Sequence, residues 1–340
     1  MKQCNDNNRQ LLPQTGQITC HNDAGLQIAC ADSGQDGALR RGQPWPEPRF
    51  EGLGELVRDR LTNLIWTKSA NLAEFPLDWQ ESLDFVADMN RARRFGFNDW
   101  RLPNRREMRS LISHQTRLPA LPDGHPYNDV FTHWYWTSTT AAPANDHAWY
   151  VNLDGGRLFF GGKDQSFMLW PVRGRANRTI ARTGQSRCYD RDGRLIPCEN
   201  CGQDGAYRSG VVWPEPRFVA NGSGVLDCLT GCRWSRCADL ADGPVSWREA
   251  FAVVSDLRNS SGHSGWRLPN INELESLVDC AYTSPALSPD LPFIEVRDIY
   301  WSSTTSRYEP DWAWALYLDK GAVGVGQKQF ALFHVWAVSS

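Results

Sequence analysis

Three strings recur in the same order along the chain. Trp100-Arg-Leu-Pro-Asn104 returns as Trp266-Arg-Leu-Pro-Asn270, Trp45-Pro-Glu-Pro-Arg-Phe50 as Trp213-Pro-Glu-Pro-Arg-Phe218, and Trp136-Thr-Ser-Thr-Thr140 as Trp301-Ser-Ser-Thr-Thr305. The offsets are 166, 168 and 165 residues, so the order is kept with little drift. A solenoid unit spans roughly 20–50 residues, and this period is that of a whole domain. The 340 residues are therefore expected to divide into a tail at 1–14, a first copy at 15–173, a polar linker at 174–182 and a second copy at 183–340. Each copy is long enough to bury its own core.

The formal net charge is −3 with both signs interspersed, which excludes the basic stripe of a nucleic-acid binder. No apolar run approaches the roughly 20 residues of a membrane span. Met1-Lys2-Gln3-Cys4 leads into polar sequence without the apolar segment of a signal peptide, so the start reads like a mature protein with an added Met. Cys4 is on position alone a candidate for lipid attachment.

Cys20 and Cys30 correspond to Cys188 and Cys198, with nine residues between the members of each pair in a turn-rich segment. Both pairs are expected to be local disulfides, which implies an oxidising compartment. The other six cysteines form an even set whose connectivity the sequence does not fix. The favoured reading is a Cys237–Cys280 bridge plus pairing among Cys201, Cys228 and Cys232. The competing one is a reduced zinc or redox site around Cys198-x-x-Cys201.

Each copy follows one plan. A leader, Thr15-Gly-Gln17 to Gly34-Gln-Asp-Gly37, recurs as Thr183-Gly-Gln185 to Gly202-Gln-Asp-Gly205. Its glycines suit tight turns. The Pro-rich segment is expected to stay extended, followed by a short strand at Leu61–Trp66 or Leu229–Trp234. Trp79, Leu83 and Val86, and again Trp247, Phe251 and Val254, lie at helical spacing. Asn104 with Glu107, and Asn270 with Glu273, match a capping box at the start of a second helix. The last third reads as strands: Trp136–Thr140, Ala148–Leu153 and Leu169–Arg173, with turns at Asp154-Gly-Gly156 and Asp319-Lys-Gly321. Two helices and an antiparallel sheet per copy make an α+β fold.

The run Trp-Arg-Leu-Pro-Asn-x-x-Glu, then Pro-Ala-Leu, Trp-x-Ser-Thr-Thr and Ala-Trp-x-(Val/Leu)-x-Leu-Asp-x-Gly resembles the Lcl C-terminal domain family of bacterial surface proteins. It covers Trp100–Leu111, Pro119–Leu121, Trp136–Thr140 and Ala148–Gly156, and again Trp266–Leu277, Pro285–Leu287, Trp301–Thr305 and Ala313–Gly321. The resemblance implies two tandem domains of C-type-lectin-like fold, secreted, periplasmic or displayed at the cell surface. It also implies adhesion to a carbohydrate or protein, family members being adhesins for sulfated polysaccharides. A structural subunit of a surface fibre, with self-assembly, is the alternative. An enzyme like those that generate formylglycine is a distant third, because the reactive late cysteine pair is missing from both copies. The expectation is thus a non-catalytic protein without nucleic-acid partner or cofactor.

Structural calcium is an alternative at Asp190-Arg-Asp192-Gly193, although turn chemistry explains that string equally well. The hydroxyls of Ser138–Thr140 and Ser303–Thr305 read as strand residues rather than nucleophiles. His114, His125, His133 and His147 cluster in copy one only, which argues against zinc. Fourteen of the sixteen Trp form seven duplicated pairs and read as core. The divergent late loops and unmatched aromatics give the candidate ligand-binding set, since recognition concentrates on loops. In copy one it is Trp134, Tyr135, Asp146, His147, Tyr150, Asn152 and Lys163. In copy two it is Tyr308, Asp311, Trp312, Tyr317 and Lys328. The two lysines are assigned to an acidic ligand.

Overall fold

A computed structural model describes residues 9–222 and 224–339. Cys4 lies outside them. The two compact units do not follow chain order. One joins the chain up to Gln43 to Val212–Val278 and the chain from Tyr282 onward, and the other holds Pro44–Val211 with Asp279–Ala281. Each unit thus combines the body of one copy (the part after its leader) with the leader of the other.

Both bodies are mixed α/β with few helices and several antiparallel sheets. The first contains a four-stranded antiparallel sheet whose order is Phe50–Leu53, Leu56–Asp59, Ile65–Thr67 and Val172–Arg173. The second repeats it with Phe218–Asn221, Gly224–Asp227, Arg233–Ser235 and Val338–Ser339. In each, the closing strand reaches back to the start of the body. A further antiparallel set follows: Trp134–Thr140, His147–Asn152 and Leu158–Gly162, or Ile299–Thr305, Trp312–Tyr317 and Ala322–Gln327.

The helices form where their stripes and caps require. Trp79–Arg91 buries Trp79, Leu83, Val86 and Met89, and Trp247–Ser261 buries Trp247, Ala250 and Val254. Both have capping boxes, Asp78 with Glu81 and Ser246 with Glu249. Arg105–Arg109 and Ile271–Ser276 carry the predicted boxes at Asn104/Glu107 and Asn270/Glu273. These caps do more than end a helix. Glu107 also takes the Arg101 guanidinium through both oxygens, and Glu273 that of Arg267, all buried. The Trp-Arg-Leu-Pro-Asn string is thereby accounted for: its Trp is core, its Arg pairs with the capping Glu, and its Asn is the cap.

Three expectations need correction. The strand at Leu61–Trp66 begins only at Ile65, because the buried Asp59 carboxylate accepts from Leu61 N and Thr62 Oγ1 and folds that stretch into a turn. Asp227 does the same to Leu229 and Thr230. Of the cysteines, Cys20–Cys30 and Cys188–Cys198 are bonded as expected. Cys237 and Cys280 are both free, so the bridge between them does not exist. The backbone of Cys280 is held by Thr183 and its side chain is buried in the second unit, whereas Cys237 belongs to the first. Cys228 is disulfide-bonded but not to Cys201 or Cys232, which are free. The polar segment at 174–182 is packed: Ile180 and Ala181 are buried, and Asn177 and Thr179 bond to Leu61 O.

Every residue of the Gly-Gln-Asp-Gly string has a duty in the leader. Gly34 and Gly202 adopt φ of +67° and +74° against Phe251 and Leu83 of the receiving body. Gln35 clamps the His21 backbone through both its amide atoms, and Gln203 clamps Tyr189. Asp36 and Asp204 open one-turn helices, Asp36–Leu39 and Asp204–Tyr207. A Cβ on Gly37 would strike the Thr19 backbone, and one on Gly205 that of Arg187. Backbone does not yield as a side-chain tip does, so Gly37→Ala and Gly205→Ala should each cost about 1–3 kcal/mol in urea unfolding. Unchanged midpoints would show that the leader can shift aside.

Candidate functional site

The strands Trp134–Thr140 and Ile299–Thr305 end in hydroxyls that serve the leaders. Asp36 Oδ2 accepts from Thr304 Oγ1 at 2.7 Å and from Thr15 Oγ1 at 2.7 Å. Asp204 Oδ2 accepts from Thr139 at 2.8 Å and Thr183 at 2.7 Å. Gln17 exchanges two hydrogen bonds with the Thr305 backbone, and Gln185 donates to Thr140 O. Burial pushes both Asp carboxyls up to about 6 despite the hydroxyl donors, which pull the other way.

Lys163 and Lys328, assigned from sequence to an acidic ligand, are fully buried. Lys328 Nζ lies over the Trp247 ring, 2.9–3.2 Å from His21 O, Asn22 O, Pro310 O and Thr305 Oγ1, four acceptors that share its three N–H donors. Lys163 Nζ donates to Tyr189 O and Asp190 O over the Trp79 ring. Burial pushes their ammonium groups down, to about 7 for Lys328 and about 8 for Lys163, against the pull of neighbouring Asp carboxylates. They grip leaders, not ligand. Their duplication at an offset of 165 was the available signal.

Tyr135 is also a correction. It is buried, and its hydroxyl accepts from Phe131 N at 2.8 Å. Tyr300 does the same with Arg297 N, so the residue is matched after all. Tyr150 is only 9% exposed, packed among Trp134, Trp136 and Phe167.

The remaining residues separate into two places in each unit. Asp146 and His147 adjoin, with Asp146 Oδ1 2.7 Å from His147 Nδ1. That contact holds the Asp146 carboxyl below its usual range. Trp134 and Asn152 pair at the opposite end of the strand, about 17 Å away at the usual rise. Likewise Tyr308, Asp311 and Trp312 lie at one end of Trp312–Tyr317 and Tyr317 at the other. Tyr317 is half-buried, its hydroxyl bonded to Val325 O.

The near end has a component that loop divergence alone did not reveal. Gly25, in the leader turn Asn22–Leu26, abuts Asp311 so closely that its Cβ would meet Asp311 N at 2.8 Å. Gly193 abuts Asp146 in the same way. Each rim is therefore composite, a late loop beside a leader turn from the other copy. In the second unit the turn adds exposed Arg191, Asp192 and Arg194, with Arg191 paired to Asp78. In the first the turn adds Asp23, and the late loop adds exposed Tyr308. The contrast between Asn22-Asp-Ala-Gly and Asp190-Arg-Asp-Gly was the sequence signal. Asp190 and Asp192 serve local contacts, accepting from Arg194 N and its guanidinium. Among the described residues no three His, Cys, Asp or Glu side chains gather as a metal-binding group.

The family model for the Lcl C-terminal domain matches twice, at residues 55–173 and 223–339, and so covers each body from its second strand to its closing strand. The chain belongs to the Lcl C-terminal domain family. No curated protein matches it. The leaders fall outside both Lcl C-terminal matches, so the family signature describes the bodies and the composite rims add to it. No helix of the described residues is long and apolar enough to cross a membrane.

Proposed function

We propose that this tandem Lcl C-terminal protein is a non-catalytic extracellular adhesion protein whose bodies have a C-type-lectin-like fold and whose composite rims bind a glycan or protein at the bacterial surface. The observation that carries this reading is the contrast between what the copies share and what they do not. Buried elements correspond in position and role: the capped helix, the Arg–Glu pair, the lysine clamp, the hydroxyl strand. The rims share one Asp, Asp146 or Asp311, and differ around it, with Tyr308 and Trp312 in one unit and His147, Arg191 and Asp192 in the other. A fixed scaffold with variable edges is the arrangement of a recognition protein. The hydroxyls of Thr139 and Thr304, which an enzyme reading would use, are engaged by buried Asp carboxylates. The two leader disulfides fit an oxidising compartment.

Stacking on a sugar face suits Tyr308 and Trp312, flanked by the Asp311 carboxylate. The double variant Tyr308→Ala/Trp312→Ala should lose about tenfold or more in affinity, as losses of about 1.4 kcal/mol or more require, with little change in melting temperature. A glycan array and immobilised matrix proteins would supply the ligands. Binding equal to that of the parent on every ligand would refute the rim assignment.

A further inference from the structure

The leader at 183–205 holds a third cysteine that its counterpart lacks. Cys188 and Cys198 are bonded, and Cys201, three residues on, is a free thiol. Leader one has the same bond, Cys20–Cys30, with Ser33 at the corresponding place. The two turns are built alike. Ser33 N donates to Cys30 O and Cys201 N to Cys198 O, and the residue before each, Asp32 or Asn200, sits at φ of +58° or +57°. Ser33 Oγ accepts from Gln35 N and donates to Cys20 Sγ at 3.6 Å. Cys201 keeps the first of these contacts, with Gln203 N–H bonded to its sulfur. A nucleophilic side chain thus stands where leader one aims a hydroxyl at its own disulfide.

We propose that Cys188, Cys198 and Cys201 form a thiol–disulfide exchange site, in which a Cys188–Cys198 bond and a Cys188–Cys201 bond interconvert. The Cys201 thiolate attacks Cys188 Sγ, the new bond forms as Cys188–Cys198 breaks, and Cys198 leaves as a thiolate that takes up the proton Cys201 gave. One disulfide and one thiol are present before and after, so neither oxidant nor reductant is consumed. Burial raises the Cys201 thiol, while Gln203 N–H and the Lys163 ammonium pull it the other way. Lys163 is already fixed at this place by Tyr189 O and Asp190 O. Cys188 is buried and its two competing partners are partly exposed, so the shared sulfur stays inside while the free thiol changes place near the surface. The present bond staples the strands Cys188–Tyr189 and Leu195–Ile196 on either side of the turn that carries Arg191 and Asp192. The alternative bond moves that staple three residues further from the second strand and loosens the turn. The exchange does not depend on what the rim binds.

The experiment uses the full chain, held folded at about pH 8, near the ordinary thiol range, without added thiol and then trapped with N-ethylmaleimide. Trypsin cuts after Arg191 and Arg194, and a Glu-specific protease after Glu199, so the three cysteines fall on separate peptides for mass spectrometry. Both bonds are expected, with maleimide shared between Cys198 and Cys201. Cys20–Cys30 should stay intact as the control within the same molecule. Cys201→Ser should leave Cys198 unlabelled. Ser33→Cys should carry the behaviour to leader one, with label on Cys30 and a bond from Cys20 to the introduced thiol. Maleimide on Cys201 alone in the parent, with Cys188–Cys198 as its sole partner bond, would overturn the proposal. So would label spread equally over Cys20, Cys30, Cys188 and Cys198, the pattern of indiscriminate scrambling.

Discussion

Lys328→Met should release the N-terminal leader from the second body while Lys163→Met leaves its counterpart largely in place. Both lysines are buried, so substitution cannot be relieved by water. Methionine keeps the stem and the packing on the indole but removes every donor. At Lys328 that strands Pro310 O and takes the donor from Thr305 Oγ1, while the leader carbonyls His21 O and Asn22 O keep Gln35 Nε2 and Gly25 N. At Lys163 the Nζ bonds reach two leader carbonyls, and both keep a donor, Gln203 Nε2 on Tyr189 O and Gly193 N on Asp190 O. An unsatisfied buried acceptor costs roughly 1–3 kcal/mol, and such costs are not additive. The two acceptors left without a donor at Lys328, against none at Lys163, decide between a released leader and one that stays. Amide hydrogen exchange over residues 18–39 reads the release directly, against residues 186–207 for Lys163→Met. Equal protection of both leaders in both variants would mean that the ammonium groups contribute little beyond filling space.

The same lysines show where sequence reading reaches its limit. Local signals were legible because local forces make them. The Asn104/Glu107 and Asn270/Glu273 boxes, the Trp79 and Trp247 stripes and the Cys20–Cys30 and Cys188–Cys198 pairs each depend on residues a few positions apart. The two bodies were legible because the repeat preserves their order. The destination of each leader was not. The residues that hold Asp36 and the leader carbonyls have counterparts in both bodies, Thr139 with Thr304 and Lys163 with Lys328, so the sequence did not say which body leader one serves. Periodicity in sequence says that copies exist but does not say how they exchange parts. Tyr135 illustrates a different failure. Reading it with Trp134 as one unmatched pair concealed its twin Tyr300, one position before Trp301. The rims were half legible: divergence pointed to the late loops, while the leader turns that complete them lie far off in sequence, Gly193 being 47 residues from Asp146 and Gly25 286 from Asp311.

Acidification from pH 7 to about pH 4.5 should tighten both leaders, opposite to the usual acid loosening of paired carboxylates. Asp36 and Asp204 are fully buried and raised from 3.8 to about 6, burial outweighing the two hydroxyl donors at each. Between those values the folded chain binds more protons than the unfolded one, so stability falls as pH rises through that window. The contribution is complete below about pH 4 and lost above about pH 6, on the order of 3 kcal/mol per carboxyl. Asparagine imitates the protonated acid: its carbonyl can accept from both threonines, and its amide takes the place of Oδ1, which in Asp204 is buried without a partner. The double variant Asp36→Asn/Asp204→Asn should therefore be more stable than the parent at pH 7 and indistinguishable from it near pH 4. Other groups titrate over the same range in both proteins, so the difference between the two melting curves is the quantity that reports these carboxyls. A constant difference across pH 4–7 would show that the two Asp side chains ionise in the folded protein as readily as in the open chain. The threonine hydroxyls would then be holding carboxylates rather than acids.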